Sequence, residues 1–178
     1  MGSTCNLSQM CLTSLSRLFS VISPRACVFG IDLGTKTIGI AVSSDISFKV
    51  ASPLKTLSRV RSSKDGVALL RLIESYSVSG LIVGLPINMC GSYGYRAQAT
   101  QDFFNNFSVL SSLPVAYWDE RLSTVAATKS MLHANLSSSK RLRLVDKLAA
   151  AFILQGALDT IPLLTGVGEG YEYKYTSE

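Results

Sequence analysis

Hydrophobic positions along the chain form short β-rich runs first and helical stripes afterwards. Cys27-Val-Phe-Gly-Ile-Asp-Leu-Gly34 and Thr37-Ile-Gly-Ile-Ala-Val-Ser43 are apolar runs separated by the turn residues Gly34–Lys36, which predicts a hairpin. A third strand is expected near Phe48–Ala51, closing an antiparallel meander. Ser62–Tyr76 reads as an amphipathic helix with Val67, Leu70 and Ile73 about one turn apart. It leads into Gly80-Leu-Ile-Val-Gly84, a fully apolar strand, and then into a glycine-bearing loop over Pro86–Tyr95. Arg96–Phe107 is predicted helical, Pro114–Trp118 a buried strand, Ser123–Ala134 a helix, Asn135–Ser139 a polar break and Arg141–Thr160 a long last helix. In that helix Val145, Leu148, Ala149, Phe152, Ile153, Gly156 and Ala157 form one stripe at helical spacing. Alternation of strand and helix after the meander requires parallel crossovers. The expectation is therefore an α/β fold: a mixed five-stranded sheet with helices on both faces.

The two ends differ from this middle. Residues 1–31 contain no acid, six serines, two threonines and two arginines. Such a stretch resembles a transit peptide for chloroplast or mitochondrion, with an untargeted extension, or a helix lying on the domain, and a cytoplasmic chain as the alternative. The expected division is an extension over 1–26, one domain over 27–164 and an acidic, tyrosine-rich tail over 165–178. Charge resides in the body: residues 32–164 carry 14 basic and 9 acidic groups, a balance that suits a polyanionic partner. No apolar run approaches the ~20 residues of a spanning helix, so no membrane is expected. Cys5, Cys11, Cys27 and Cys90 contain no C-x-x-C pair, and His133 is the one histidine, which excludes a two-histidine metal site and argues against histidine-centred catalysis.

Chemistry then falls to the acids. Asp32 ends the first strand run, where a carboxylate is costly unless something compensates it. Asp119 and Glu120 directly follow the strand ending at Trp118, and parallel sheets gather their strand C-termini at one edge. Adjacent strand residues point to opposite faces, so only one of that pair can join Asp32. Asp146 lies one residue off the apolar stripe of the last helix, whereas Asp159 lies roughly 220° farther around and is excluded. Three carboxylates from two strand ends and a helix supply the oxygen ligands that hard divalent cations take, an arrangement suited to two-metal phosphodiester cleavage.

Four segments carry a resemblance: G-I-D-L-G-T-K-T-I-G-I-A-V-S-S-D (Gly30–Asp45), V-G-L-P-I-N-M-C-G-S-Y-G-Y-R-A (Val83–Ala97), D-E-R-L-S-T (Asp119–Thr124) and V-D-K-L-A-A-A-F-I-L-Q (Val145–Gln155). In this order they resemble the YqgF/RuvX family, relatives of the RuvC Holliday-junction resolvases within the RNase H-like superfamily. The resemblance implies an RNase H-like fold and a Mg²⁺- or Mn²⁺-dependent nuclease. It also implies a role in 5′ maturation of the small-subunit ribosomal RNA precursor, with junction resolution in branched DNA as the older proposal. Carried over by motif, Asp32, Asp146 and either Glu120 or Asp119 are the metal-binding catalytic acids; Glu120 is preferred because its longer side chain reaches farther. Cys90 and Ser123 depart from the usual pattern without touching a proposed ligand. The serine-rich start lies outside the bacterial pattern and points to a eukaryotic member.

The cations expected on a nucleic-acid backbone are Lys36 beside Asp32, Arg96 at a helix start, Arg121 after the acids, and Lys140, Arg141, Arg143 and Lys147 around Asp146. Arg59, Arg61 and Lys64 are a further candidate contact. Trp118 is expected in the core. A monomer and a homodimer are both compatible with the sequence. An actin-like ATPase is excluded by length and by the missing second phosphate motif, and a P-loop by the lack of G-K-[ST]. A non-catalytic ribosome-assembly factor is the rival from another class, disfavoured because carboxylates packed together repel without a metal.

Overall fold

The computed structural model describes residues 12–122 and 139–161, the backbone alone at 12, 48 and 122 and over 139–144. Its strands are β1 (Leu12–Thr13), β2 (Cys27–Leu33), β3 (Thr37–Ser43), β4 (Ser52–Ser58), β5 (Val78–Leu85) and β6 (Val115–Asp119). Its helices are α1 (Leu15–Val21), α2 (Ser62–Ser75), α3 (Tyr95–Phe107) and α4 (Ser139–Asp159). The sheet order is β1-β6-β5-β2-β3-β4, with β2, β3 and β4 antiparallel and β2, β5, β6 and β1 parallel. Four of the five expected strands lie where the apolar runs place them, the third lies at Ser52–Ser58 instead of near Phe48–Ala51, and β1 adds a short sixth at one edge.

Side-chain alternation divides the core in two. Phe29, Ile31, Ile38, Ile40, Leu81 and Val83 meet Leu69 and Ile73 of α2 and Phe103, Phe104 and Phe107 of α3. Val28, Ala41, Ile82, Ala116 and Trp118 meet α1 and α4. Trp118 is core, packed on Gly156.

Four local expectations change. The third strand starts at Ser52: Asp45 caps a 3₁₀ turn over Ile46–Phe48 by accepting from Ser47 N–H, and Lys49 follows with a left-handed φ of 52°. In α2 the buried side is Gly66, Leu69 and Ile73, whereas Val67 is exposed. In α4 the buried stripe runs Val145, Ala149, Ala150, Ile153, Leu154, Ala157 and Leu158, and Phe152 turns outward. A helix lying this close to a sheet selects its small residues for contact. Finally, the expected extension over 1–26 enters the fold from Leu12. β1 pairs with β6 and Leu18 of α1 is fully buried against Gly80, because Leu15, Leu18, Phe19 and Ile22 form an apolar face. Residues 1–11, the expected helix over 123–134 with His133, the break over 135–138 and the tail over 165–178 lie outside the described residues. No helix among the described residues is long and apolar enough to cross a membrane.

Candidate active site

β2, β5 and β6 run parallel and end at one edge of the sheet, where β3 begins. Along β2, residues of even number face α4: a Cβ on Gly30 would lie 2.5 Å from Leu154 Cβ and 2.7 Å from Ala150 O. Asp32 shares that parity and is 5% exposed. Its partner across the hairpin is Gly39. A Cβ on Gly39 would overlap the backbone carbonyl of Asp146, so α4 rests its Asp146 turn directly on β3 beside Asp32. Thr37, two residues earlier on the same strand face, donates its hydroxyl to Asp146 Oδ2 at 2.7 Å.

On the other flank of Asp32, one step beyond the Ile31–Val83 pair, lies Gly84. A Cβ there would lie 2.6 Å from Glu120 Oε1 and would also meet Ile153 of α4. Two glycines thus border Asp32 in the sheet, one making room for the Asp146 turn and the other for the Glu120 carboxylate.

Asp119 faces away from α4 with Val115 and Tyr117. Its carboxylate accepts from Arg121 Nη2 at 2.7 Å, from Arg121 Nε at 3.0 Å and from the Arg121 backbone N–H at 2.9 Å. Of the two acids that follow the strand, Glu120 therefore shares the face of Asp32 and Asp146, and Asp119 is held by an arginine. The physical cause is the period of two along β6, carried one residue past its end.

The cations are distributed unevenly. Lys36 is exposed at the hairpin and Arg96 is exposed in the first turn of α3, whose cap residue Gly94 makes no side-chain cap bond. Lys147 is half-buried beside Asp146, while Lys140, Arg141 and Arg143 occupy the first turns of α4, where the backbone alone is described. Arg121 directs its fork at Asp119, and its Nη1 reaches Asn88 O at 3.4 Å, tying the loop after β5 to the turn that carries Glu120. Arg59 departs from the expected backbone contact. It donates from Nη1 to Gly34 O at 2.9 Å, pairs through Nε with buried Asp65 at 3.4 Å and lies 5.7 Å over the Phe103 ring. It holds the β2–β3 hairpin in place.

Thr37, Gly39, Gly84 and the partnership of Arg59 with Asp65 leave no trace in the pattern of acids and cations. A signal was present: Gly39 and Gly84 interrupt apolar strand runs, where a glycine marks close approach of another backbone or ligand.

Oxygen donors alone on a floor cleared by glycines suit a hard divalent cation better than a soft one. Among the described residues, however, no group of three or more His, Cys, Asp or Glu could by itself hold a metal ion. An ion here would take part of its shell from phosphate and water oxygens, as Mg²⁺ characteristically does.

The family model for RuvX, described as Holliday junction resolvase, matches residues 26–160. A Methylocella silvestris protein named "Putative pre-16S rRNA nuclease" is 51% identical over 140 residues, covering 79% of this chain and 86% of that protein. A Rhodobacter capsulatus protein of the same name is 49% identical over 144 residues, covering 80% of this chain and 90% of its own. A more remote likeness is to T. thermophilus RuvC in complex with Holliday junction substrate, at 13% identity and a TM-score of 0.49, covering 76% of this chain and 94% of that one.

Proposed function

The chain belongs to the RuvX family, and from that premise we propose that it is a divalent-metal-dependent nuclease acting in 5′-end maturation of the small-subunit ribosomal RNA precursor. The observation that carries this reading is the pair of glycines on either side of Asp32, which bring the Asp146 turn and Glu120 onto one face of the sheet. The names of the bacterial relatives support the RNA substrate. Cleavage of branched DNA is the second reading, favoured by the family model's description.

In this reading Asp32, Glu120 and Asp146 hold Mg²⁺ or Mn²⁺. Such an ion, when bound, would lower the pKa of a water and offset negative charge on the phosphate. Thr37 orients the Asp146 carboxylate by donating to Oδ2. Asp119 and Arg121 fix the turn on which Glu120 sits. Lys36, Arg96 and Lys147, with Lys140, Arg141 and Arg143, neutralise the phosphates of the bound strand.

The test is cleavage of a 5′-extended small-subunit precursor fragment and of a four-way DNA junction, each with and without Mn²⁺. Asp32→Asn, Glu120→Gln and Asp146→Asn should each lower turnover by about 10³-fold or more, because each removes a charged ligand without changing shape. Circular dichroism should be unchanged. Wild-type turnover by Asp32→Asn or Asp146→Asn removes the metal-dependent reading, and cleavage of the junction alone transfers the substrate to branched DNA.

A further inference from the structure

The loop between β5 and α3 spends its polar groups on its own backbone and turns its apolar groups outward. Asn88 N–H donates to Ser92 O at 3.0 Å, Gly91 N–H to Asn88 O at 2.8 Å and Asn88 Nδ2 to Ser92 Oγ at 2.9 Å. Gly91 has φ +86°, a conformation that side chains oppose, so this tight turn is built into the sequence. Arg121 Nη1, reaching Asn88 O, fastens the loop beside Glu120. The loop is thereby a held surface adjoining the acids. Yet Met89 and Tyr95 are each 89% exposed and Tyr93 is 50% exposed, the two rings standing two residues apart at the start of α3. Three large apolar side chains exposed within seven residues of a held loop offer a surface for a binding partner.

Charge narrows what binds. From Pro86 to Gln101 the chain contains no acid, and its charged side chain there is Arg96, itself exposed. A ring pair on a segment that itself holds no carboxylate, carrying a cation and bordering the acid edge, has the chemistry of a stacking platform for bases on an anionic strand. Bases within a duplex are already stacked and turned inward, so a surface ring gains little from them; unpaired bases offer their faces.

We propose that Tyr93 and Tyr95 form a base-stacking platform that takes unpaired nucleotides next to the scissile bond, so that the substrate is single-stranded where it crosses this loop. The inference rests on the nuclease reading above and deepens it by assigning the strand state of the substrate. The phenol hydroxyls have no part in stacking.

The probe is a labelled RNA strand of about 12 nucleotides, a length within the range such sites engage, compared with its blunt duplex by fluorescence anisotropy in EDTA. The combined variant Y93A/Y95A should weaken single-strand binding by about 10- to 100-fold, the loss expected for removing stacked rings, and leave duplex binding unchanged. Y93F/Y95F should bind like the wild type. The slope of log Kd against log salt should remain the same, because no phosphate contact is lost. Full single-strand affinity in Y93A/Y95A overturns the platform, as does an equal loss on strand and duplex. An effect confined to oligomeric state by sedimentation also overturns it, because the rings then serve a second copy of the chain. Wild-type protein that binds the strand through its tyrosines but cleaves nothing with Mn²⁺ supports the platform and removes the nuclease reading, so the two fail separately.

Discussion

The two faces of the sheet treat carboxylates in opposite ways. Among the described residues the buried acids are Asp32, Asp65 and Asp119. On the side of α2 and α3 each has an arginine of its own, Arg59 on Asp65 at 3.4 Å and Arg121 on Asp119 at 2.7 Å, and Arg59 also lies over the Phe103 ring. On the side of α4, Asp32 lies between Gly39 and Gly84, and the helix above contributes Ala149, Ala150 and Gly156. A buried carboxylate must be compensated. On the α2–α3 face the compensation is an arginine, which commits the charge to structure. The other removes side-chain volume so that a second and a third acid can approach. Acids of the first kind serve stability, and under the proposed function acids of the second kind serve a divalent cation and phosphate.

The largest effect should come from filling that space. Gly39→Ala places a Cβ against the Asp146 carbonyl, which is backbone and cannot rotate away. The expected cost is about 3 kcal/mol or more of unfolding free energy, read by urea denaturation. Gly84→Ala meets the ends of two side chains, Glu120 and Ile153, and should cost only about 1–2 kcal/mol. It should nevertheless lower metal-dependent cleavage by about 10²-fold, the penalty of displacing a catalytic group by about an ångström. The counterpart on the other face is Gly66, inside α2, where a Cβ would lie 3.1 Å from Leu110 Cδ1, and Leu110 is free to yield because it is 42% exposed. Gly66→Ala should be neutral or stabilise by up to about 1 kcal/mol through helix propensity. Equal behaviour of Gly84→Ala and Gly66→Ala would erase the contrast between the faces.

Smaller effects separate charge used in structure from charge used in chemistry. Asp119→Asn breaks an ion pair whose arginine is one-third exposed, so about 1 kcal/mol of stability should be lost while cleavage stays within about tenfold of wild type. Thr37→Val should do the reverse: a modest change in stability with turnover lowered about tenfold, because Asp146 Oδ2 loses the donor that orients it. Thr37→Ser should restore it. Loss of cleavage in Asp119→Asn, with normal turnover in Glu120→Gln, would exchange the roles of the two faces.

Much of this was legible in the pattern of residues. Continuous apolar runs located β2, β3, β5 and β6, because strands covered on both sides admit little else. β4 was harder to place: it is an edge strand with Pro53 and Lys55 exposed, and edge positions carry no such run. β1 is two residues long, below any periodic signal, and its serine-rich surroundings resemble an unfolded leader. In α4 the stripe was displaced because periodicity ranks Phe152 above Ala150, whereas a helix pressed onto glycines selects alanine. Asp32 and Asp146 could be singled out as acids set among apolar residues. Choosing Glu120 over Asp119 required the face of β6, which the alternation rule states only once the end of the strand is known. The arginines of Asp65 and Asp119 lie six and two residues away along loops, and loop geometry leaves no periodic trace.

The smallest expected effect concerns a group that the α2–α3 face buries without a hydrogen-bond partner among the described residues. The Tyr117 hydroxyl has no hydrogen-bond partner among the described residues, and burial, aided by the charge of Asp102, pushes its pKa up to about 12. An orphaned buried hydroxyl costs free energy that phenylalanine does not incur. Tyr117→Phe should therefore leave stability at pH 7 unchanged or raise it by up to about 1 kcal/mol. The pH dependence has a definite sign. The unfolded chain ionises this tyrosine near pH 10 and the folded chain only near 12, so folding retains a proton that the unfolded state releases. The stability associated with Tyr117 is fully present below pH 10 and is lost progressively as pH rises towards 12. Urea midpoints of wild type and Tyr117→Phe should consequently diverge in that window, the variant falling less steeply. A drop in stability of more than about 1 kcal/mol at pH 7 would show that the hydroxyl is satisfied after all. The α2–α3 face would then tolerate no unmatched polar group, and the contrast with the glycine-lined face would be sharper still.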